Sequence, residues 1–277
     1  EQPLGKGKIT FNVHTPGAFL TRAVCVGDEN GGTNDKIAFY QFSREGKYEQ
    51  RYVLNYAAAP VGANGDTRSY TVELTSSTGG EKRFIIVESE NESNFPNMSA
   101  TNTIDELLNS KTVAESGKLN PPFVMSNVKT DGKEYVTVAD VESSNNQVDV
   151  KLKRRVARFD LLNDPTESGL VIDKVYIKNR YTQGFIGDVS GNAGNISSDV
   201  LEIPAADLAN DGKSFYLYPT QLTSTLEQNE KTVVWATTKL ANTNTEGPTL
   251  YLNLTADINV EANYLYQLNT KKIAGST

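Results

Sequence analysis

The chain has 277 residues, with 34 Asp and Glu against 27 Lys and Arg, a net charge of -7 and a pI near 5.0. That balance excludes nucleic acid or an anionic membrane as the main partner, since both need a basic face. One Cys and one His exclude a disulfide framework, a Cys-based structural zinc site and a His-ligated metal cluster within one chain, so composition argues against an enzyme and calls for no cofactor. Mean hydropathy is -0.45, and the longest aliphatic run, Phe84-Ile85-Ile86-Val87, falls far short of the ~20 residues that span a bilayer. The length suits two domains rather than one. The chain begins at Glu1 without Met, from which we expect a leader removed upstream.

The periodicity is that of strands. Ile9, Phe11 and Val13 alternate with Thr10, Asn12 and His14, the mark of a strand that buries one face. Further strands are predicted at 37–42, 51–55, 69–75, 135–138, 148–152, 156–162, 170–177, 214–218, 232–237, 250–254 and 264–268. Glu45-Gly46, Gly79-Gly80, Asp131-Gly132 and Asn210-Asp211-Gly212 supply the turn chemistry between them. One helix is predicted, where Thr103-Ile104-Asp105-Glu106 has the form of a capping box ahead of Leu107 and Leu108. Many short strands with regular turns make the fold all-β, of the sandwich or barrel kind. Val148, Val150 and Leu152 share one parity, but Ala157, Phe159 and Leu161 take the other. A bulge or a crossing between two sandwiches produces such a flip. The boundary is therefore placed near 153, with domains 1–153 and 154–277.

Candidate sites are few. His14, at the end of the first strand, is expected to be solvent-facing or hydrogen-bonded, and Cys25 to be a small buried hydrophobe. The acidic loop from Asp28 to Asp35 fails as an EF-hand, because Gly32 and Thr33 stand at the fifth and sixth positions counted from Asp28. Lys151, Lys153, Arg154, Arg155 and Arg158 form one cationic run, expected to be a solvated strand face. The thirteen Tyr suggest sugar stacking, yet most occupy strand positions where they stabilise cross-strand pairs. No catalytic constellation emerges.

One ordered set of segments is more specific. It runs Gly7-Lys8-Ile9-Thr10-Phe11-Asn12-Val13, then Leu20-Thr21-Arg22-Ala23-Val24, then Lys36-Ile37-Ala38-Phe39-Tyr40-Gln41-Phe42. Arg83 to Val87 and Pro121 to Ser126 follow, and then Val150 to Leu161, whose Arg154-Arg155-Val156-Ala157-Arg158-Phe159-Asp160 is the most telling part together with Thr21-Arg22-Ala23. Taken together, over nearly the whole chain, this resembles the fimbrillins of Bacteroidales, the major and minor subunits of type V pili. The resemblance implies two tandem transthyretin-like β-sandwich domains with one short inserted helix, made as a lipoprotein precursor and carried to the outer membrane and the cell surface. It implies an Arg-specific protease that cuts between Arg22 and Ala23, and a removable strand carrying Ile9, Phe11 and Val13. It also implies polymerisation by β-strand exchange with other fimbrial subunits, in support of adhesion to a host or bacterial surface ligand.

An incoming strand must be extended and apolar at alternate positions. Leu250, Leu252 and Leu254, or Tyr264, Tyr266 and Leu268, meet that requirement; before cleavage both stretches are expected as ordinary strands of the second sandwich. No third, tip-adhesin domain is expected beyond Leu268, and the lipid-bearing Cys is expected on the removed leader. The alternative function is a non-polymerising surface lipoprotein, at the tip or anchor of a fimbria, that binds glycan or protein.

Overall fold

The structure is a computed structural model that describes residues 7–15, 20–21, 34–55, 67–75, 79–142, 146–189, 193–209, 213–221, 230–252 and 259–269. The first half carries β1 (Lys8–His14), β2 (Leu20–Thr21), β3 (Lys36–Ser43), β4 (Tyr48–Asn55), β5 (Thr67–Glu73), β6 (Lys82–Ser89), α1 (Ile104–Leu108), β7 (Met125–Asn127), β8 (Val136–Val138) and β9 (Asn146–Arg154). The second half carries β10 (Ala157–Leu162), α2 (Pro165–Ser168), β11 (Leu170–Lys178), β12 (Arg180–Tyr181), β13 (Ile196–Ser197), β14 (Leu201–Pro204) and β15 (Ser214–Leu217). After these come β16 (Thr220–Gln221), β17 (Val233–Leu240), β18 (Leu250–Leu252), β19 (Asn259–Val260) and β20 (Tyr264–Asn269). The all-β expectation holds.

The helices form for local reasons. Thr103 caps α1: its backbone N–H donates to Glu106 Oε2 at 2.6 Å, and its hydroxyl accepts from the Glu106 N–H at 3.3 Å, the capping box legible in the sequence. The second helix, α2, was not predicted. Asp164 caps it, Pro165 opens it, and Gly169 closes it at φ 70°, a left-handed conformation that glycine adopts without strain.

An eight-stranded sheet runs β4-β3-β6-β7-β9-β1-β5, with β8 paired to β6 off that path. It wraps one apolar core built from Ile9, Phe11 and Val13 of β1, Ile37 and Phe39 of β3, Tyr70 and Val72 of β5, Phe84 and Ile86 of β6, and Val150 and Leu152 of β9. Strands β3 and β6 are buried on both faces. Their opposite face carries Ala38, Tyr40, Phe42, Ile85 and Val87, covered by Phe95, Ile104, Leu107 and Ile186. Two further sheets run β15-β10-β20-β2, in which β2 of the first half joins three strands of the second, and β14-β11-β17-β18. They enclose a separate core that includes Ala157, Phe159, Leu161, Val175, Ile177, Phe215, Val234 and Ala236.

The parity flip therefore marks a crossing: β9 serves the first core and β10 the second, with only Arg155 and Val156 between them. The cationic run at this crossing corrects the expectation of a solvated face. Lys151 is exposed, but Arg154, Arg155 and Arg158 are buried. Arg155 Nη2 donates to Glu134 Oε1 and to the Asn127 carbonyl, both at 3.0 Å, and Arg158 is paired with Asp160 at 2.6 Å. Burial of these guanidinium groups is tolerated because acceptors meet them, from residues distant in sequence for Arg155 and from the same strand for Arg158.

Candidate functional site

The site suggested by the sequence is the place occupied by β1. This strand lies inside the sheet, antiparallel to β5 from Lys8↔Glu73 to His14↔Thr67 and parallel to β9 from Ile9↔Asn146 to His14↔Lys151. In the sheet order β5 has β1 as its neighbour and stands at the edge, so β1 is what joins β5 to β9. Ile9, Phe11 and Val13 are all fully buried, while Lys8 is exposed and Thr10, Asn12 and His14 are only partly buried. The Phe11 ring centroid lies 4.8 Å from that of Phe39 and 5.1 Å from that of Phe84, which makes it the centre of an aromatic cluster.

The outward side of β1 is held by polar contacts. Asn12 Nδ2 donates to Asp149 Oδ1 at 3.0 Å, and the Ser69 hydroxyl donates to Asn12 Oδ1 at 2.8 Å. His14 Nδ1 is 2.8 Å from the Thr67 hydroxyl, so His14 is a hydrogen-bonding residue at the strand's end, in accord with the sequence reading. Gly7 starts the strand where the backbone approaches closely: a Cβ there would lie 2.3 Å from the Val141 carbonyl oxygen.

One residue of this site was missed by sequence reasoning. Glu88, the penultimate residue of β6, is buried where β6 runs between β3 and β7. Burial pushes its carboxyl up to about 8, while Asn34 and the charge of Arg68 pull the other way without cancelling the effect. Arg68 is the register partner of Val13, which puts this acid near the end of β1. Its only sequence signal is a carboxylate that continues the inward parity of Phe84 and Ile86.

The remaining predicted residues are distributed as follows. Arg22 and Ala23 lie outside the described residues, as does Leu254. The described segment nearest the predicted cut is β2, whose Leu20 and Thr21 pair in parallel with Tyr264 and Leu265 of β20. Leu250 and Leu252 belong to β18, at the edge of its sheet against β17. Tyr264, Tyr266 and Leu268 belong to β20, which runs parallel to β10 from Arg158↔Leu265 to Leu162↔Asn269. Tyr266 and Leu268 pack on the second core, and the Tyr266 ring stacks on Phe159 at 5.0 Å. The described parts of both candidate donor strands thus pair with strands of the second half, β18 with β17 and β20 with β10. Among the described residues there is no group of three or more His, Cys, Asp or Glu arranged to hold a metal ion.

No protein-family model matches the sequence, and no curated protein matches it. Solved structures do. A fimbrial assembly protein from Parabacteroides distasonis superposes with a TM-score of 0.57 at 12% identity, over 98% of this chain and 93% of that one. The tip fimbrial protein Mfa3 of Porphyromonas gingivalis, solved with a C-terminal truncation, gives 0.58 at 14% identity, over 97% of this chain and 96% of that one. Along nearly its whole length, this chain has the fold of these fimbrial proteins.

Proposed function

We propose that the chain is a fimbrial subunit of the fimbrillin family, displayed at the cell surface from a lipoprotein precursor, and that it polymerises by exchange of β1 for a strand of another subunit. The observation that carries this reading is the position of β1, an interior strand with three buried side chains whose loss uncovers a groove between β9 and β5. Burial of Ile9, Phe11 and Val13 is worth about 1.5–3 kcal/mol each, so a vacated groove is a strong template for any extended segment of matching period. The unpaired edges left on β5 and β9 supply the backbone hydrogen bonds.

Cleavage by an Arg-specific protease between Arg22 and Ala23 would separate β1 and β2 from the rest of the chain together. The donor is the stretch carrying Tyr264, Tyr266 and Leu268 or that carrying Leu250, Leu252 and Leu254. The domains are 1–153 and 154–277, joined where β9 gives way to β10. Adhesion follows from the assembly and calls for no catalytic residue.

The test is limited digestion of the folded chain with an Arg-specific protease, followed by mass spectrometry and size-exclusion chromatography. The expected result is a single early cut after Arg22, followed by concentration-dependent oligomers that resist dilution. Intact Arg22 after prolonged digestion, or cut chain that stays monomeric at high concentration, would overturn the proposal.

A further inference from the structure

The outer face of the β14-β11-β17-β18 sheet carries a feature that neither the fold nor strand exchange explains. Val175 and Ile177 of β11 and Val234 and Ala236 of β17 point into the second core. By strand alternation Tyr176 and Trp235 point outward, and both are only partly buried. Their rings stack with centroids 5.3 Å apart and planes within 7°. Tyr251 of β18 is the register partner of Trp235, on the same side of the sheet, and is 67% exposed, the most exposed large hydrophobic residue among those described. Glu202 of β14 is the register partner of Tyr176 and completes the row on the other side. The row Glu202, Tyr176, Trp235, Tyr251 therefore crosses four adjacent strands. Its three aromatic residues span about 10 Å at the spacing of neighbouring strands, enough for two sugar rings.

Two ion pairs flank the row. Lys174 Nζ donates to Glu202 Oε1 at 2.6 Å, and Lys239 Nζ lies 2.7 Å from Asp173 Oδ1. Hydrogen bonds from Lys174 and Tyr176 hold the Glu202 carboxyl below the usual glutamate range, so it stays an acceptor. Lys174 and Lys239 are each matched by an anion, so the pairs beside the row present little net field to attract a polyanion. The same groups offer donors and acceptors to hydroxyls beside an aromatic strip.

Area decides against a protein partner. Each ring contributes at most about 150–250 Å², and two of the three already cover part of one another, so the strip falls short of the ~800 Å² per side of a stable interface. We infer that this face binds a neutral pyranose glycan, whose C–H face stacks on Tyr251 and the flank of Trp235 while its hydroxyls meet Glu202 and Lys174. This holds whether or not Arg22 is cut.

Trp235 is the only Trp in the chain, so intrinsic emission reads this face directly. Uncut protein is titrated with cellohexaose, laminarihexaose and mannohexaose, with chondroitin sulfate as the anionic control. The expected result is a saturable shift of Trp emission with at least one neutral hexasaccharide and none with chondroitin sulfate. In Tyr251→Ala, with its melting temperature unchanged, binding should weaken by about tenfold or more. Three outcomes would overturn the inference: no shift with any of the three up to about 10 mM, where even weak sites fill; equal binding by Tyr251→Ala; or Trp235 shielded only by self-association, which would make the face an interface between copies.

Discussion

Phe11→Ala tests the central physical claim, that β1 is core and that its place is a groove. The Phe11 ring is fully buried, and its centroid lies 4.8 Å from Phe39 and 5.1 Å from Phe84, so truncation removes the transfer free energy and leaves a cavity whose walls are strands fixed by their own ladders. Such a change costs about 3–5 kcal/mol, and the loss of two ring contacts places it in the upper half of that range. With a urea m-value of about 1–3 kcal/mol/M, the midpoint should fall by more than about 1 M. Thr10→Ala is the control, because Thr10 points outward and its hydroxyl faces Thr71 at 3.3 Å; it should cost about 0.5 kcal/mol or less. The assay is equilibrium urea unfolding followed by circular dichroism and by Trp235 emission. If 154–277 folds around its own core, the Trp235 transition moves less than the dichroism transition. A Phe11→Ala midpoint within error of the parent, or equal to that of Thr10→Ala, would show that β1 is not core and that its removal opens nothing.

Two further predictions concern buried charge. Glu88 keeps its proton in the folded chain up to about pH 8, whereas unfolded glutamate loses it near 4.5; the unfolded state therefore binds fewer protons between those values, and stability falls as pH rises through that window and levels off above it. Glu88→Gln should remove this slope, matching the parent near pH 4.5 and melting higher at pH 8; parallel melting curves at both pH values would refute the assignment. Glu134→Ala removes the nearer carboxylate of Arg155, at 3.0 Å, and leaves Asp188 at 3.9 Å; it should cost about 3 kcal/mol in thermal unfolding, much of it recovered in the double substitution Glu134→Leu, Arg155→Met. An unchanged Glu134→Ala, or a double variant no better than the single, would show that the pair does not hold the crossing.

What the sequence reveals and conceals here follows from the range of the interactions. The parity of Ile9, Phe11 and Val13 is local, and it located the first strand and its buried face. The capping box at Thr103 and Glu106 is also local and placed α1. The turn Asp131-Gly132 shows positive φ at both residues, 49° and 77°, as its composition implies. By contrast, α2 is too short to show a helical period, although Asp164, Pro165 and Gly169 carried its start and stop signals. Arg155 looked solvated because its partners Glu134 and Asn127 come from other parts of the chain. Double burial of β3 and β6 was hidden likewise, since Phe95, Leu107 and Ile186 cover the second face from elsewhere in the chain. Within the site, alternation displays the apolar residues, but the burial of Glu88 depends on strands that converge only in three dimensions.

The continuity of β9 and β10 has a mechanical consequence. Strand β9 lies parallel to β1, and β10 lies parallel to β20, with Arg155 and Val156 between the two. In a fibre built as proposed with β20 as donor, tension leaving a groove would pass along one backbone ribbon to the donor's own neighbour. The ladders at both ends would be pulled lengthwise, so that their bonds share the force instead of opening one by one. The Arg155 contacts to Asn127 and Glu134 would then act as a splint at the point where that ribbon changes sheet.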